Sequence, residues 1–315
     1  MDRVALGRTG LTVSRLCFGT LTLGPCQANL PLAEGARLLR QAFRRGVNFV
    51  DTAEAYRTYA YLRDALRGLR PGEAVVATKS YAYTRCGMKE SLERALRAMG
   101  VKEVGVFLLH EQEPGTLEGH RPALEFLLEA RQRGLVRAVG VSTHCPEVAE
   151  EVAARDDLDV LHVPLNPEGA GLKGGGLGRM LAAVELAAAR GKGVYAMKAL
   201  AGGNLVARAE ECLRFVSGLR SVHSVAVGMC SPAELEMNAL VLEGREVPAS
   251  LRRRAQRRPR RLIIESHCQG CGECLRACHQ GALVVDGGRA RVDPARCVLC
   301  GYCGLRCPEA AIKVV

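Results

Sequence analysis

From residue 16 to about residue 243, short apolar runs rich in β-branched residues alternate with stretches in which apolar residues recur every three and four positions. The first pattern suits strands covered on both faces, and the second suits amphipathic helices. Strands are predicted at 15–19, 47–51, 74–79, 104–110, 136–142, 159–163, 193–198 and 221–228. Helices such as 33–43, 89–99 and 123–132 lie between them, with Gly46, Gly100 and Gly134 just past their ends as stop signals. Eight strands spaced by helix-sized segments predict an α/β fold, an eightfold (β/α) TIM barrel. Ahead of it, 4–6 and 11–15 flank Gly7 to Gly10 and read as a hairpin capping the barrel floor.

After residue 244 the pattern changes. Gly244 to Arg261 carries eight arginines against one acid, Glu246, and Pro259 lies near its end; cysteine and glycine then dominate. The chain divides into a barrel (1–244), an Arg-rich linker (245–261) and a small α+β module (262–315). The module repeats with a period of 29: Cys268, Cys271, Gly272, Cys274, Cys278, Ala282 and Leu283 map onto Cys297, Cys300, Gly301, Cys303, Cys307, Ala311 and Ile312. Two halves of one pseudo-symmetric unit follow.

Eight of the fourteen cysteines fall in this module. Nothing points to export, so metal ligation explains them better than disulfides. Three thiolates on one tight loop can grip three irons of a cubane, while the fourth iron must be bound from elsewhere. Cys-x2-Cys also suits tetrahedral zinc, and that alternative stays open, although four cysteines per run fit it poorly. The two Cys-x2-Cys-x2-Cys-x3-Cys runs resemble bacterial ferredoxins that hold two [4Fe–4S] clusters. The resemblance implies that Cys268, Cys271, Cys274 and Cys307 hold one cluster, and Cys297, Cys300, Cys303 and Cys278 the other. His279 replaces the proline that follows the second run as Pro308.

The formal charge is +11 with cysteines neutral; two oxidised clusters on eight thiolates would leave about +7. The arginine run lacks the aromatic or motif support of a nucleic-acid footprint, so no nucleic acid is expected. It reads as a solvated linker or as a docking strip for an acidic redox partner protein. No stretch is long and apolar enough for a leader or a bilayer span, which excludes a membrane role and predicts a cytoplasmic protein.

Polar residues end three successive strands: Asp51, Lys79 and His110, with Tyr56 five positions after Asp51. Carbonyl reduction needs a proton donor at the oxygen that gains charge, and a tyrosine beside an ammonium can serve. This order resembles the Asp, Tyr, Lys and His tetrad of the aldo-keto reductases. Further resemblance lies in Leu6 to Ser14, Phe18-Gly19-Thr20, Val139 to Ser142 and Gly228 to Pro232, within residues 3–242. It implies Tyr56 as general acid, Lys79 lowering its pKa, Asp51 holding Lys79 and His110 orienting the carbonyl. It also implies an NAD(P)H site at Gly19, Thr20, Ser142, Asn166, Gly228, Ser231 and Asn238, and a small carbonyl or alcohol as substrate.

The chain departs from that family in several places. Tyr59 and Tyr61 follow Tyr56 and compete for the donor role. Thr143, His162 and Met197-Lys198 stand where Asn, Gln and an aromatic residue commonly meet the nicotinamide. Cys230 and Glu234 replace basic or amide residues near the expected 2′-phosphate, which argues against NADP. Nicotinamide moves electrons in pairs and clusters move them singly, and no flavin motif bridges the two. A second reading is therefore an iron–sulfur relay or regulator whose barrel no longer uses a nicotinamide; in a third, the clusters only stabilise the tail. Gly169-x-Gly171-x-x-Gly174 imitates a dinucleotide fingerprint without its βαβ context and reads as a loop; the adjacent His144-Cys145 does not read as a nucleophile and base.

Overall fold

A computed structural model describes residues 1–70, 72–256 and 259–315. The hairpin β1 (Arg3–Ala5) and β2 (Thr12–Ser14) is followed by eight strands: β3 (Leu16–Gly19), β4 (Phe49–Asp51), β5 (Val75–Ser80), β6 (Val104–Gln112), β7 (Val136–Thr143), β8 (Val160–Pro164), β9 (Gly193–Met197) and β10 (Ser224–Gly228). They pair in parallel in chain order, and β10 closes on β3. Around them lie α1 (Leu32–Arg44), α2 (Tyr59–Leu66), α3 (Arg85–Met99), α4 (Thr116–Gly119), α5 (Arg121–Gln132), α6 (Pro146–Ala154), α7 (Leu177–Ala189), α8 (Ala209–Gly218) and α9 (Pro232–Leu242). The expected barrel is thus present, with strand ends displaced by at most three residues.

Alternate strand residues face in and out. Outward ones such as Val50, Phe107 and Val139 pack under helix residues including Leu39, Leu92 and Leu127. Inward ones such as Phe49, Val106, Leu108 and Tyr195 fill the barrel, and Leu6, Leu11 and Val13 of the hairpin plug its floor. Each fully buried Leu or Val contributes about 1.5–3 kcal/mol relative to exposure. Gly7 makes the plug feasible: its φ is +55°, and a Cβ there would lie 2.3 Å from the Gly193 nitrogen.

The segment expected as linker is partly helical. In α10 (Ala249–Gln256), Leu251 and Ala255 are buried on one face, with Val247 just before it. The arginines mask this i, i+4, i+8 spacing in the sequence. Arg252 pairs with Glu210 at 2.5 Å, whereas Arg253 and Arg254 stay exposed. Arg257 and Arg258 lie outside the described residues.

The module pairs β11 (Leu262–Ile264) with β14 (Ile312–Val314) and β12 (Leu283–Asp286) with β13 (Arg289–Val292), all antiparallel. Its two single-turn helices, α11 (Glu273–Arg276) and α12 (Tyr302–Leu305), each follow a left-handed glycine, Gly272 and Gly301. The module is pressed onto the barrel mouth. Asn204 Nδ2 donates to the Ile312 carbonyl at 2.9 Å, and a Cβ on Gly203 would lie 1.8 Å from the Val314 oxygen.

Candidate active site and cluster cradles

Strand register brings Asp51 beside Ala77, two residues from Lys79, so both side chains reach the open end of the barrel. Lys79 Nζ donates to Asp51 Oδ1 at 2.7 Å, to the Thr52 carbonyl at 2.8 Å and toward Tyr56 Oη at 3.5 Å. Asp51 Oδ2 accepts from Tyr195 Oη at 2.9 Å. The His162 ring stacks on Tyr195 with centroids 3.8 Å apart, and its Nε2 lies 3.8 Å from Asp51 Oδ2. His110 stands edge-on to Tyr56, with ring centroids 5.8 Å apart, and is covered by the stacked ring of Tyr81, whose hydroxyl donates to Glu111. Tyr195, Tyr81 and His162 were missing from the residues to which the sequence assigned catalytic roles. Their signal was there: a tyrosine within a short strand, another just past a strand end, and a histidine inside β8.

The electrostatics differ from expectation at one point. Burial, followed by the negative charges of Asp51 and Glu111, raises the Tyr56 pKa well above that of an ordinary phenol. The ammonium of Lys79, 3.5 Å from Tyr56 Oη, does not outweigh that burial. Burial, reinforced by Lys79, lowers His110 well below an ordinary histidine, which leaves it neutral. Its Nδ1 is buried without a hydrogen-bond partner among the described residues. The competing tyrosines face elsewhere. Tyr59 Oη meets Thr78 Oγ1 at 2.8 Å, and Tyr61 Oη donates to the Leu30 carbonyl at 2.6 Å.

Asp51 and Tyr56 open into a groove of about 200 Å³ whose walls include Gly19, Met197, Gly228 and Asn238. Asn238 Oδ1 is buried there with no hydrogen-bond partner among the described residues. The other four positions expected to bind the nucleotide do not line the groove; their side chains hold the fold instead. Thr20 Oγ1 donates to the Asp51 carbonyl, Ser142 Oγ accepts from Glu111 N, Asn166 binds the Ala170 backbone and Ser231 caps α9. The far wall comes from beyond the barrel: Arg260, Lys313, Val314 and Val315.

In the module, Cys268, Cys271, Cys274 and Cys307 ring one small cavity, and Cys278, Cys297, Cys300 and Cys303 ring another. Each set takes three thiols from one run and one from the other. Cys278 Sγ accepts from Ala282 N, and Cys307 Sγ from Ala311 N, both at 3.3 Å, so the 29-residue repeat extends to hydrogen bonds. Among the described residues no three His, Cys, Asp or Glu side chains converge on a single metal ion. A cubane asks for a wider ring of four thiolates around its body.

The sequence model of the aldo/keto reductase family matches residues 15–243. The chain belongs to that family. A 4Fe-4S dicluster domain model matches residues 267–311. A solved structure from Pseudomonas aeruginosa, provisionally assigned as an aldo-keto reductase, is 26% identical, with a TM-score of 0.66; the match covers 77% of this chain and 94% of that one. L-galactose dehydrogenase of Arabidopsis thaliana is 28% identical over 44% of this chain and 47% of its own length. The NADH-specific methylglyoxal reductase of Escherichia coli K12 is 23% identical over 51% of this chain and 58% of its own length. The chain thus spans about half the length of the curated relatives it matches.

Proposed function

We propose that this protein is an oxidoreductase that passes a hydride between NAD(P)H and a small carbonyl or alcohol, and that its module holds two [4Fe–4S] clusters for electron transfer or redox sensing. The observation that carries the reading is the buried chain Asp51–Lys79–Tyr56 opening into the groove. The unpartnered Asn238 oxygen and the apolar walls at Met197, Val227 and Met237 support a ligand with a hydrogen-bond donor and flat apolar faces.

A bound nicotinamide supplies the hydride. The residues then manage the proton. A phenol with a raised pKa is fully protonated at physiological pH, so Tyr56 presents an O–H to the carbonyl oxygen as that oxygen gains charge. The alkoxide so formed is a stronger base than a phenolate, so the proton passes from Tyr56 Oη to it. Lys79, held by Asp51, steadies the phenolate left behind. His110, neutral and behind Tyr56, limits how the carbonyl can lie.

Cys268, Cys271, Cys274 and Cys307 would ligate one cluster, and Cys278, Cys297, Cys300 and Cys303 the other. When bound, such clusters supply one-electron transfer. The name of the methylglyoxal reductase supports a small carbonyl as the first substrate to try. The test is anaerobic NADH and NADPH oxidation by the cluster-loaded protein with a panel of small aldehydes and ketones. Turnover that disappears in Tyr56→Phe supports the reading; turnover that survives transfers the donor role to another group.

A further inference from the structure

Among the described residues the groove is lined by three basic side chains, Lys198, Arg260 and Lys313, of which only Lys198 belongs to the barrel. Arg260 is matched, lying 3.4 Å from Glu234 Oε1. The lysines differ. Lys198 Nζ lies 3.1 Å from His144 Nε2. His144 Nδ1 is 2.5 Å from the Gly171 carbonyl, which can only accept. Nδ1 therefore carries the hydrogen, Nε2 offers a lone pair, and Lys198 is the donor. Lys313 Nζ donates to its own module's Ala310 carbonyl. Among the described residues neither ammonium is ion-paired with a carboxylate. Each keeps N–H donors to spare.

The backbone is shaped to hold these amines. Lys198 has φ +55°, a conformation costly for lysine, and its carbonyl accepts from Ala201 N at 2.8 Å and Asn166 Nδ2 at 3.2 Å. Gly202, with φ +64°, leaves room for Lys313: a Cβ there would lie 2.7 Å from Lys313 Cδ. Gly171, with φ +87°, packs beside Lys198, where a Cβ would lie at ordinary contact distance, 3.6 Å from Cδ. Burial, and then the charge of Lys313, push the Lys198 pKa down to about 7. Two neighbouring ammoniums in a groove are stabilised by a ligand that brings negative charge.

We propose that Lys198 and Lys313, with Arg260 beside them, form a composite anion subsite that holds a phosphate or pyrophosphate group of the groove's ligand, so that the cluster module completes the barrel's binding site. This rests on the groove being the ligand site, but not on hydride transfer. The phosphate could belong to the dinucleotide or to a phosphorylated carbonyl substrate.

The test is calorimetric titration of the full, cluster-loaded chain with inorganic pyrophosphate at low salt. Binding is expected, weakened on the order of tenfold in Lys198→Gln and in Lys313→Gln and largely restored in Lys198→Arg, with iron content unchanged. No binding to the native chain, or an affinity in both glutamine variants equal to that of the native chain, overturns the proposal. Should Lys313→Gln lose its clusters, Lys198→Gln decides alone. Displacement of pyrophosphate by NADPH assigns the phosphate to the dinucleotide, and displacement only by glyceraldehyde 3-phosphate assigns it to the substrate; displacement by neither overturns the proposal. Pyrophosphate binding without any NAD(P)H binding would strike the hydride reading alone. NAD(P)H affinity and turnover unchanged in both lysine variants would strike the subsite alone.

Discussion

Lys79 Nζ lies 2.7 Å from Asp51 Oδ1, and both side chains are buried at the ends of adjacent strands. The remaining Asp51 oxygen accepts from Tyr195, and the ammonium also reaches the Thr52 carbonyl, so neither charge is left short of partners. Such a pair is costly to break, because the survivor stays buried and uncompensated. Lys79→Met is expected to destabilise the barrel by about 3–5 kcal/mol. The double variant Asp51→Asn, Lys79→Met should recover part of that. Denaturant unfolding of the native chain and these two variants checks it; a Lys79→Met variant as stable as the native chain would mean that water or relaxation satisfies Asp51.

Tyr56→Phe keeps the ring against His110 and removes only the hydroxyl. The turnover number for carbonyl reduction should fall by about 10²–10⁴-fold, with iron content unchanged. Tyr59→Phe, whose hydroxyl meets Thr78 rather than the groove, should cost about 1 kcal/mol of stability and leave turnover alone. Parallel steady-state kinetics separate the two tyrosines.

Much of this was legible in the sequence, and what was not has physical causes. The barrel strands could be read because residues buried on both faces leave continuous apolar runs such as Val104 to Leu109, and the cysteine repeat because ligation fixes spacing. The helix at 249–256 was hidden: only Leu251 and Ala255 of its face are apolar, and arginines surround them. The groove's far wall could not be read at all. Lys313 and Val314 meet Lys198 and Gly203 only through the docking of the module, a contact more than a hundred residues apart in sequence with no periodic trace. The raised pKa of Tyr56 has a related cause: the motif shows a nearby lysine but not how deeply the fold buries the phenol.

The lowered pKa of Lys198 sets a pH dependence. Lys313 and Lys173 push its charge off, Glu111 and Glu265 favour it, and its neighbour His144 is lowered mainly by burial. In the free protein the amine is mostly neutral above about 7. A bound anion favours the ammonium, so sulfate, which does not itself titrate in this range, should take up protons on binding at about pH 8 and nearly none at about pH 5.5, and its affinity should fall as pH rises through 7. Calorimetry in buffers of different ionisation enthalpy counts the protons. Proton release on binding would contradict the assignment.

The crossed arrangement of thiols makes a further prediction. Cys268 and Cys307 ring the same cavity although they belong to different runs. Cys268→Ala and Cys307→Ala should each remove about half of the bound iron, and combining them should remove little more. Cys268→Ala with Cys297→Ala should remove most of it. Iron analysis and the electron paramagnetic resonance of the reduced protein distinguish these patterns, and additive loss for Cys268 with Cys307 would mean that each run holds its own metal.

The central claim is that the barrel moves a hydride. NADH and NADPH deuterated on the transferring carbon, mixed anaerobically with cluster-loaded protein and methylglyoxal, test it most directly. The account predicts one deuterium on the newly formed carbinol carbon, abolished in Tyr56→Phe. No deuterated alcohol from either nucleotide, with the clusters becoming reduced instead, would contradict it and leave a redox relay built on the barrel.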